Sequence, residues 1–170
     1  MDNSRLINIL QIIGKIVPPA SKITLVGGSA ISLLGSPRTT IDIDFFGDDI
    51  HPNEFHKSIL QIASDLNIFM EAVPLDRFIP IPDGSESRVI PIGIFGNLEV
   101  VIADPYSIAL SKLERGFDTD FDDIIFLIQK EYVDLAELEA MTNKALEKAR
   151  EFDMNSDEVI AHLQELKKRL

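Results

Sequence analysis

Two short stretches of the sequence decide the fold: residues 25–30, which read LVGGSA, and residues 40–46, which read TIDIDFF. In the first, the apolar run 23–26 predicts a β-strand, and the pair Gly27-Gly28 ends it before a helix that starts at Ser29. In the second, acidic and apolar residues alternate, which is typical of a strand with one buried face. A glycine turn that leads into a helix can hold a phosphate, because the amides of a helix start favour anions.

The acidic strand carries two carboxylates, Asp42 and Asp44, that point to the same side. The Cα atoms of residues i and i+2 of a strand lie roughly 6.5–7 Å apart, and the two side chains share a face. We expect Ile41, Ile43 and Phe45 to bury the opposite face. Neighbouring carboxylates repel each other, and a divalent cation between them removes the conflict; hard oxygen ligands suit Mg²⁺ or Mn²⁺. A polar outer face on an edge strand explains the same pattern and stays open as the alternative.

A third carboxylate, Glu99, stands between Leu98 and Val100 on a stretch that otherwise predicts a buried strand. Such a residue either faces solvent or serves as a ligand. Three carboxylates on neighbouring strands beside a phosphate-binding turn are the groups that two-metal phosphoryl transfer requires. We therefore expect Asp42, Asp44 and Glu99 to converge on one pocket that faces the glycine turn.

Composition divides the chain into two parts. All nine prolines lie at or before Pro105, and Gly116 is the only glycine after it. This asymmetry predicts an α+β fold: an α/β module over residues 1–104, followed by a C-terminal helical region over 105–170 that packs on it as one compact unit. The predicted helices cover 4–17, 29–34, 52–66, 105–115, 118–130, 135–152 and 156–170; strands cover 23–26, 41–46, 89–95 and 98–102, and residues 74–87 are a predicted loop.

Charge and composition exclude several classes of protein. The chain has 16 basic and 28 acidic side chains, a formal charge of −12, which excludes a generally basic nucleic-acid coat and disfavours an anionic membrane surface. It has no cysteine, so disulfides and thiolate metal sites are excluded. No stretch approaches the roughly 18–20 apolar residues of a membrane span, and residues 1–5 lack the basic region followed by an apolar core that is typical of a secretory signal. We expect a cytoplasmic protein.

The motif series resembles the nucleotidyltransferase superfamily that includes polymerase beta. The series is Gly27-Gly28-Ser29, twelve residues, Asp42-Ile43-Asp44, and later Leu98-Glu99-Val100. The resemblance implies a mixed sheet flanked by helices, with both aspartates as metal ligands and Glu99 helping to activate the incoming hydroxyl. Most members of the superfamily carry Asp at the third place.

A narrower resemblance is to small bacterial and archaeal nucleotidyltransferase-like proteins related to AbiEii-type toxins. It rests on residues 38–44 (RTTIDID), which resemble R-x-T/S-x-D-x-D, and on residues 110–115 with 120–123, which resemble a block of lysine, arginine and D-x-x-D. The resemblance implies that Lys112 contacts nucleotide phosphates and that Asp120 joins the catalytic acidic set. Thr119 stands where the family usually has a basic residue. A surface set of exposed salt bridges between two antiparallel helices is the alternative for this block.

These observations favour a metal-dependent nucleotidyltransferase that transfers a nucleoside monophosphate from an NTP to a hydroxyl and releases pyrophosphate. The catalytic candidates are Asp42, Asp44, Glu99, Lys112 and Asp120; the nucleotide-binding candidates are Gly27, Gly28, Ser29, Arg38, Lys112 and Arg115. The resemblance suggests RNA, such as a tRNA 3′ end, or a protein side chain as acceptor, and a small molecule is also open. The alternative is a catalytically weak or inactive nucleotidyltransferase fold that acts as a nucleotide-binding or toxin–antitoxin partner module, and a third reading is a purely structural helical partner module. A protein partner or a homo-oligomer is also expected.

Overall fold

The computed structural model describes residues 1–170 and divides them into two compact units. The first unit comprises Met1–Pro74 and Val89–Ala103, and the second comprises Leu75–Arg88 and Asp104–Leu170. Residues 75–88 thus group with the C-terminal helices, although they precede the last two strands of the first unit in the sequence.

A mixed five-stranded sheet forms the centre of the first unit. Its strands, in chain order, are Ser21–Leu25 (β1), Ile43–Phe46 (β2), Met70–Val73 (β3), Ile90–Phe95 (β4) and Leu98–Ile102 (β5). The order across the sheet is β3-β2-β1-β5-β4. The pairs β1/β5 and β2/β3 are parallel, whereas β1/β2 and β4/β5 are antiparallel. The predicted α+β class with a mixed sheet is confirmed.

Three helices belong to the first unit: Asn3–Ile16 (α1), Gly27–Leu33 (α2) and Glu54–Asp65 (α3). Asp2 caps α1, because its side chain accepts a hydrogen bond from the Arg5 amide at 2.9 Å. The apolar stripe of α1, including Leu6, Leu10 and Ile13, is fully buried. Its spacing of three and four residues is that of a helix with one face on a core.

The second unit is helical. Its elements are Leu75–Phe78 (α4), a short 3₁₀ helix at Ser85–Arg88, Pro105–Arg115 (α5), Asp118–Gln129 (α6), Leu135–Leu146 (α7) and Ser156–Arg169 (α8). Helix α5 is the central element, since it contacts α6, α7 and α8. It begins at Asp104, whose carboxylate accepts from the Tyr106 amide at 3.1 Å, and ends at Gly116 in the left-handed conformation. None of the helices has the combination of length and apolar character that a bilayer crossing needs.

Sequence patterns located some elements better than others. Strand β5 and helix α5 have the predicted bounds. Strand β3 was not predicted, and α4 and the 3₁₀ helix occupy the segment that was predicted to be a loop. Strand β2 begins at Ile43 instead of residue 41, so the prediction that Ile41 is buried is wrong: its side chain is 83% exposed.

Candidate metal centre and nucleotide site

The glycine turn lies directly against an acidic side chain. Gly27 follows β1 and starts α2, with φ at +62°, a value that favours glycine. A Cβ atom at this position would overlap Oδ2 of Asp44. The absence of a side chain at Gly27 therefore allows the backbone of the turn to approach the Asp44 carboxylate.

Ser29 connects this turn to β2 from the inside. Its side chain is fully buried, and its hydroxyl donates to the Val26 carbonyl at 3.1 Å and accepts from the Asp44 amide at 3.2 Å. The hydroxyl is thus occupied by backbone groups. Its structural effect is to fix the position of Asp44 relative to the start of α2, and its predicted role in nucleotide binding stays a prediction.

Three carboxylates from two neighbouring strands form the candidate metal centre: Asp42, Asp44 and Glu71. One carboxylate oxygen from each lies within 4.8 Å of the other two. Asp44 is in β2 and Glu71 is at the paired position of parallel β3, whereas Asp42 lies in the bend that precedes β2. Thr40 donates to the Asp42 backbone carbonyl at 3.1 Å, and its hydroxyl is 3.4 Å from the Asp42 carboxylate.

The structure brings together two of the three carboxylates that the sequence analysis expected to converge. Glu99 lies on β5, which β1 separates from β2. It pairs in register with Lys22, and its carboxylate is 3.7 Å from the Lys22 ammonium, with both side chains about half exposed. The third member of the group is Glu71, which sequence reasoning missed. A signal was present in the apolar–acidic order of Phe69, Met70, Glu71 and Ala72.

Arg38 is placed at the same turn as the glycines. A Cβ atom at Gly28 would be 3.2 Å from an Nη atom of Arg38 and 3.1 Å from the Thr40 hydroxyl. The guanidinium therefore lies over Gly28, in the loop that leads to Asp42. A guanidinium at this place provides several fixed donors for an anion.

The second motif block forms a buried charge network inside the helical unit. Lys112 is 3% exposed, and its ammonium lies 3.1 Å from Asp120 and 2.6 Å from Asp123. Arg115 also donates to Asp120 through two nitrogens. Burial alone would raise the pKa of Asp120, but the hydrogen bond from Arg115 and the charge of Lys112 outweigh it and hold that pKa below its ordinary value.

The ion pairs of this network are those of the salt-bridge alternative, but Lys112, Asp120 and Asp123 are buried, and only Arg115 has an exposed side chain, at 53%. A phosphate that approached Lys112 would compete with two carboxylates that already neutralise the ammonium. Breaking such a buried pair is costly because it leaves an uncompensated charge. The roles of Lys112, Arg115 and Asp120 at a nucleotide stay predictions.

Comparison with known protein families agrees with the acidic centre. A family model described as nucleotidyltransferase of unknown function (DUF6036) matches residues 4–170. The chain belongs to this family. The match extends over both units, so the second unit is part of the family's shared sequence. No curated protein and no solved structure gave a significant match.

Family membership makes the chain a nucleotidyltransferase by class, for which the donor is a nucleoside triphosphate. The nucleotidyltransferase resemblance noted from the motifs is thus confirmed at the level of the enzyme class. The narrower relation to AbiEii-type toxins stays a prediction.

Proposed function

We propose that this chain is a metal-dependent nucleotidyltransferase whose metal ligands are Asp42, Asp44 and Glu71. The observation that carries the proposal is the approach of their carboxylate oxygens to within 4.8 Å of one another. In the reaction, an acceptor hydroxyl oxygen forms a bond to the α-phosphorus of an NTP. The bond from that phosphorus to the oxygen that bridges the α- and β-phosphates breaks, pyrophosphate leaves, and the proton of the hydroxyl passes to solvent water.

The carboxylate group fits a divalent cation. Mg²⁺ binds oxygen at about 2.0–2.1 Å, so two ligands on opposite sides of one ion lie roughly 4 Å apart. The three carboxylate oxygens, within 4.8 Å of one another, have a spacing close to that distance. Mg²⁺ or Mn²⁺ would neutralise phosphate charge and make the acceptor hydroxyl more acidic.

Residues on the two sides of Asp44 would bind the two substrates. On the β1 side, Arg38 and the backbone of Gly27 and Gly28 would hold the triphosphate, since their positive and N–H groups complement its charge. On the β3 side, Glu71 is the most exposed of the three carboxylates. Its carboxylate would accept the hydrogen bond of the acceptor hydroxyl.

Thermal unfolding with and without ligands tests this proposal. Each NTP should raise the midpoint temperature of unfolding only when Mg²⁺ or Mn²⁺ is present. A ligand stabilises the protein when it binds the folded state and not the unfolded chain. The double variant Asp42→Asn/Asp44→Asn should lose that stabilisation, while Glu99→Gln, the matched acidic variant outside the group, should keep it. Stabilisation that is equal without metal would contradict the enzyme proposal and favour the nucleotide-binding alternative.

The proposal includes two broader points: the class of molecule that accepts the nucleotide and the relation to toxin–antitoxin systems. RNA, including a tRNA 3′ end, a protein side chain and a small molecule all offer the required hydroxyl. Incubation with labelled NTPs, Mg²⁺ and cell lysate would show which class of molecule receives the label. The toxin–antitoxin relation predicts in addition a protein partner, which co-purification tests.

A further inference from the structure

The hydroxyl of Ser29 lies between the end of β1 and the strand β2, which carries Asp44. Ser29 is in the first turn of α2, and its side chain is 0% exposed. The hydroxyl accepts a hydrogen bond from the Asp44 amide at 3.2 Å and donates to the Val26 carbonyl at 3.1 Å, with the Asp44 carbonyl a more distant acceptor at 3.4 Å. A serine hydroxyl has only one hydrogen to donate, so backbone acceptors already occupy this donor.

These contacts belong to the junction of β1 and β2. Val26 directly follows β1, and its amide donates to the Asp44 carbonyl at 2.9 Å, which continues the antiparallel pairing of Leu25 with Phe45. In such a pair the second ladder bond joins the other two backbone groups, here the Asp44 amide and the Val26 carbonyl. The Ser29 hydroxyl connects the same two groups. It therefore ties the backbone of Asp44 to the end of β1 as a ladder bond does.

The position of the Asp44 backbone sets the spacing of the metal centre. Asp44 pairs in register with Glu71, and one carboxylate oxygen from each lies within 4.8 Å of the other and of one from Asp42. On its other side, the Asp44 carboxylate lies so close to Gly27 that a Cβ atom there would overlap Oδ2. A shift of the Asp44 backbone would therefore move its carboxylate relative to both other ligands.

Burial argues against a direct contact between Ser29 and a nucleotide. To donate to a phosphate, the hydroxyl would have to give up its hydrogen bond to Val26, a residue that is 1% exposed. A buried polar group that loses a partner costs free energy. Arg38, in contrast, lies over Gly28 with a guanidinium that has several donors. The anion contacts of the turn therefore do not require the Ser29 hydroxyl.

We propose that Ser29 is a positioning residue of the metal centre, which acts on the metal through Asp44 and does not contact the triphosphate. Its hydroxyl holds the Asp44 carboxylate at its distance from those of Asp42 and Glu71. This inference rests on the proposed metal-dependent function. It gives Ser29 a role that differs from the nucleotide contact expected from the sequence motif.

Calorimetric titration with Mn²⁺ alone, without nucleotide, tests the inference. Ser29→Ala should weaken Mn²⁺ binding by about tenfold, the lower end of the 10- to 100-fold that partners of metal ligands contribute to affinity. Ser32→Ala is the matched control, because Ser32 lies on the same helix, is 1% exposed and has a hydroxyl without a hydrogen-bond partner. It should leave the Mn²⁺ affinity unchanged. An unchanged Mn²⁺ affinity in Ser29→Ala would overturn the inference.

Nucleotide affinity separates positioning from phosphate contact. A non-hydrolysable NTP analogue is titrated at a Mn²⁺ concentration that saturates each variant. Under these conditions Ser29→Ala should bind the analogue as tightly as the unmodified protein does, because only the metal affinity has changed. Ser29→Thr, which keeps a hydroxyl, should restore the Mn²⁺ affinity. Normal Mn²⁺ affinity with weakened analogue binding in Ser29→Ala would assign the hydroxyl to the phosphate and overturn the inference.

Hydrogen exchange of the Asp44 amide gives a result that does not depend on the folding of any variant. In the unmodified protein this amide is bonded to Ser29, so its exchange should be slow. Exchange should be no faster when Mg²⁺ and the NTP analogue are bound. Faster exchange in the presence of the analogue would show that the hydroxyl leaves the amide for the phosphate, against the inference.

Failure of the inference and failure of the proposed function give different results. The double variant Asp42→Asn/Asp44→Asn serves as the reference without a metal centre. If the unmodified protein binds Mn²⁺ no more tightly than this reference, the metal-centre proposal fails and the inference fails with it. If the unmodified protein binds more tightly than the reference and Ser29→Ala equals the unmodified protein, only the positioning role fails.

Discussion

Asp44 and Glu71 occupy paired positions on the neighbouring parallel strands β2 and β3. Both contribute to a group of three carboxylates, while Glu99 on β5 is paired with Lys22 on β1, the strand that separates β5 from β2. A pair of isosteric variants can therefore test whether Glu71 or Glu99 is the third metal ligand.

Glu71→Gln should weaken Mn²⁺ binding by at least about tenfold, since even indirect partners of metal ligands contribute 10- to 100-fold to affinity. Glu99→Gln should leave the affinity unchanged, because it removes only a half-exposed ion pair. Calorimetric titration with Mn²⁺ measures both. The opposite ranking of the two variants would restore Glu99 as the third ligand.

Only part of the metal centre could be predicted from the sequence, because local patterns describe some of its residues and not the others. Asp42, Asp44 and the glycine turn are close in the sequence, and local patterns describe them. Glu71 comes from a four-residue edge strand that forms by pairing with β2. So short a segment has little periodicity of its own, and its neighbour in the sheet was needed to identify it.

The charged block at residues 112–123 shows another limit of sequence patterns. Helical spacing correctly placed Lys112 and Arg115 on one helix and the two aspartates on the next. However, spacing along a helix does not show how deeply a side chain is buried. Lys112, Asp120 and Asp123 are buried, whereas the alternative predicted from the sequence was a set of exposed salt bridges. Burial changes the expected energetics, because removal of one buried partner leaves a desolvated charge.

Lys112→Met should therefore destabilise the protein strongly, by about 3–5 kcal/mol, since it removes the buried ammonium that pairs with Asp123 and one of the two cations that pair with Asp120. Lys22→Met, which removes a half-exposed ion pair, should cost about 0–1 kcal/mol. Urea unfolding measures both free energies. Equal stability of the two variants, together with loss of NTP binding in Lys112→Met, would instead support a phosphate-binding role for Lys112.

Gly116 ends α5 in the left-handed conformation, with φ at +68°, and faces the ring of His162. A Cβ atom there would overlap the ring, which is held by a 2.7 Å hydrogen bond between Nδ1 and the Leu113 carbonyl. Gly116→Ala should thus cost more than the ~1–2 kcal/mol of the left-handed backbone alone.

Gly35→Ala is the matched control for this substitution. Gly35 also has a positive φ, +99°, but an added Cβ would meet nothing within 4 Å. Its variant should show the cost of a positive φ without a clash, and that cost is larger at +99° than within the left-handed region. In urea unfolding, the second substitution His162→Ala should reduce the cost of Gly116→Ala and leave the cost of Gly35→Ala unchanged. An unchanged cost of Gly116→Ala in the His162→Ala background would show that the His162 ring moves away freely.

His56 gives the fold a dependence on pH near neutrality. Its ring contacts Phe45 edge-on at 4.8 Å between centroids, and burial lowers the pKa of His56 below its ordinary value of about 6.5. The unfolded chain therefore binds this proton more readily than the folded one. The contribution of neutral His56 to stability is present above about pH 6.5 and is lost as the pH falls through the lower pKa of the folded state.

The stability difference between the unmodified protein and His56→Gln, a variant that cannot titrate, should accordingly change between pH 7.5 and 5.5. Over this interval the unmodified protein should lose more unfolding free energy than the variant does, as measured by urea titration at each pH. His51→Gln, at an exposed histidine of the same unit, should run parallel to the unmodified protein. Parallel curves for His56→Gln as well would mean that packing against Phe45 does not disfavour the charged ring.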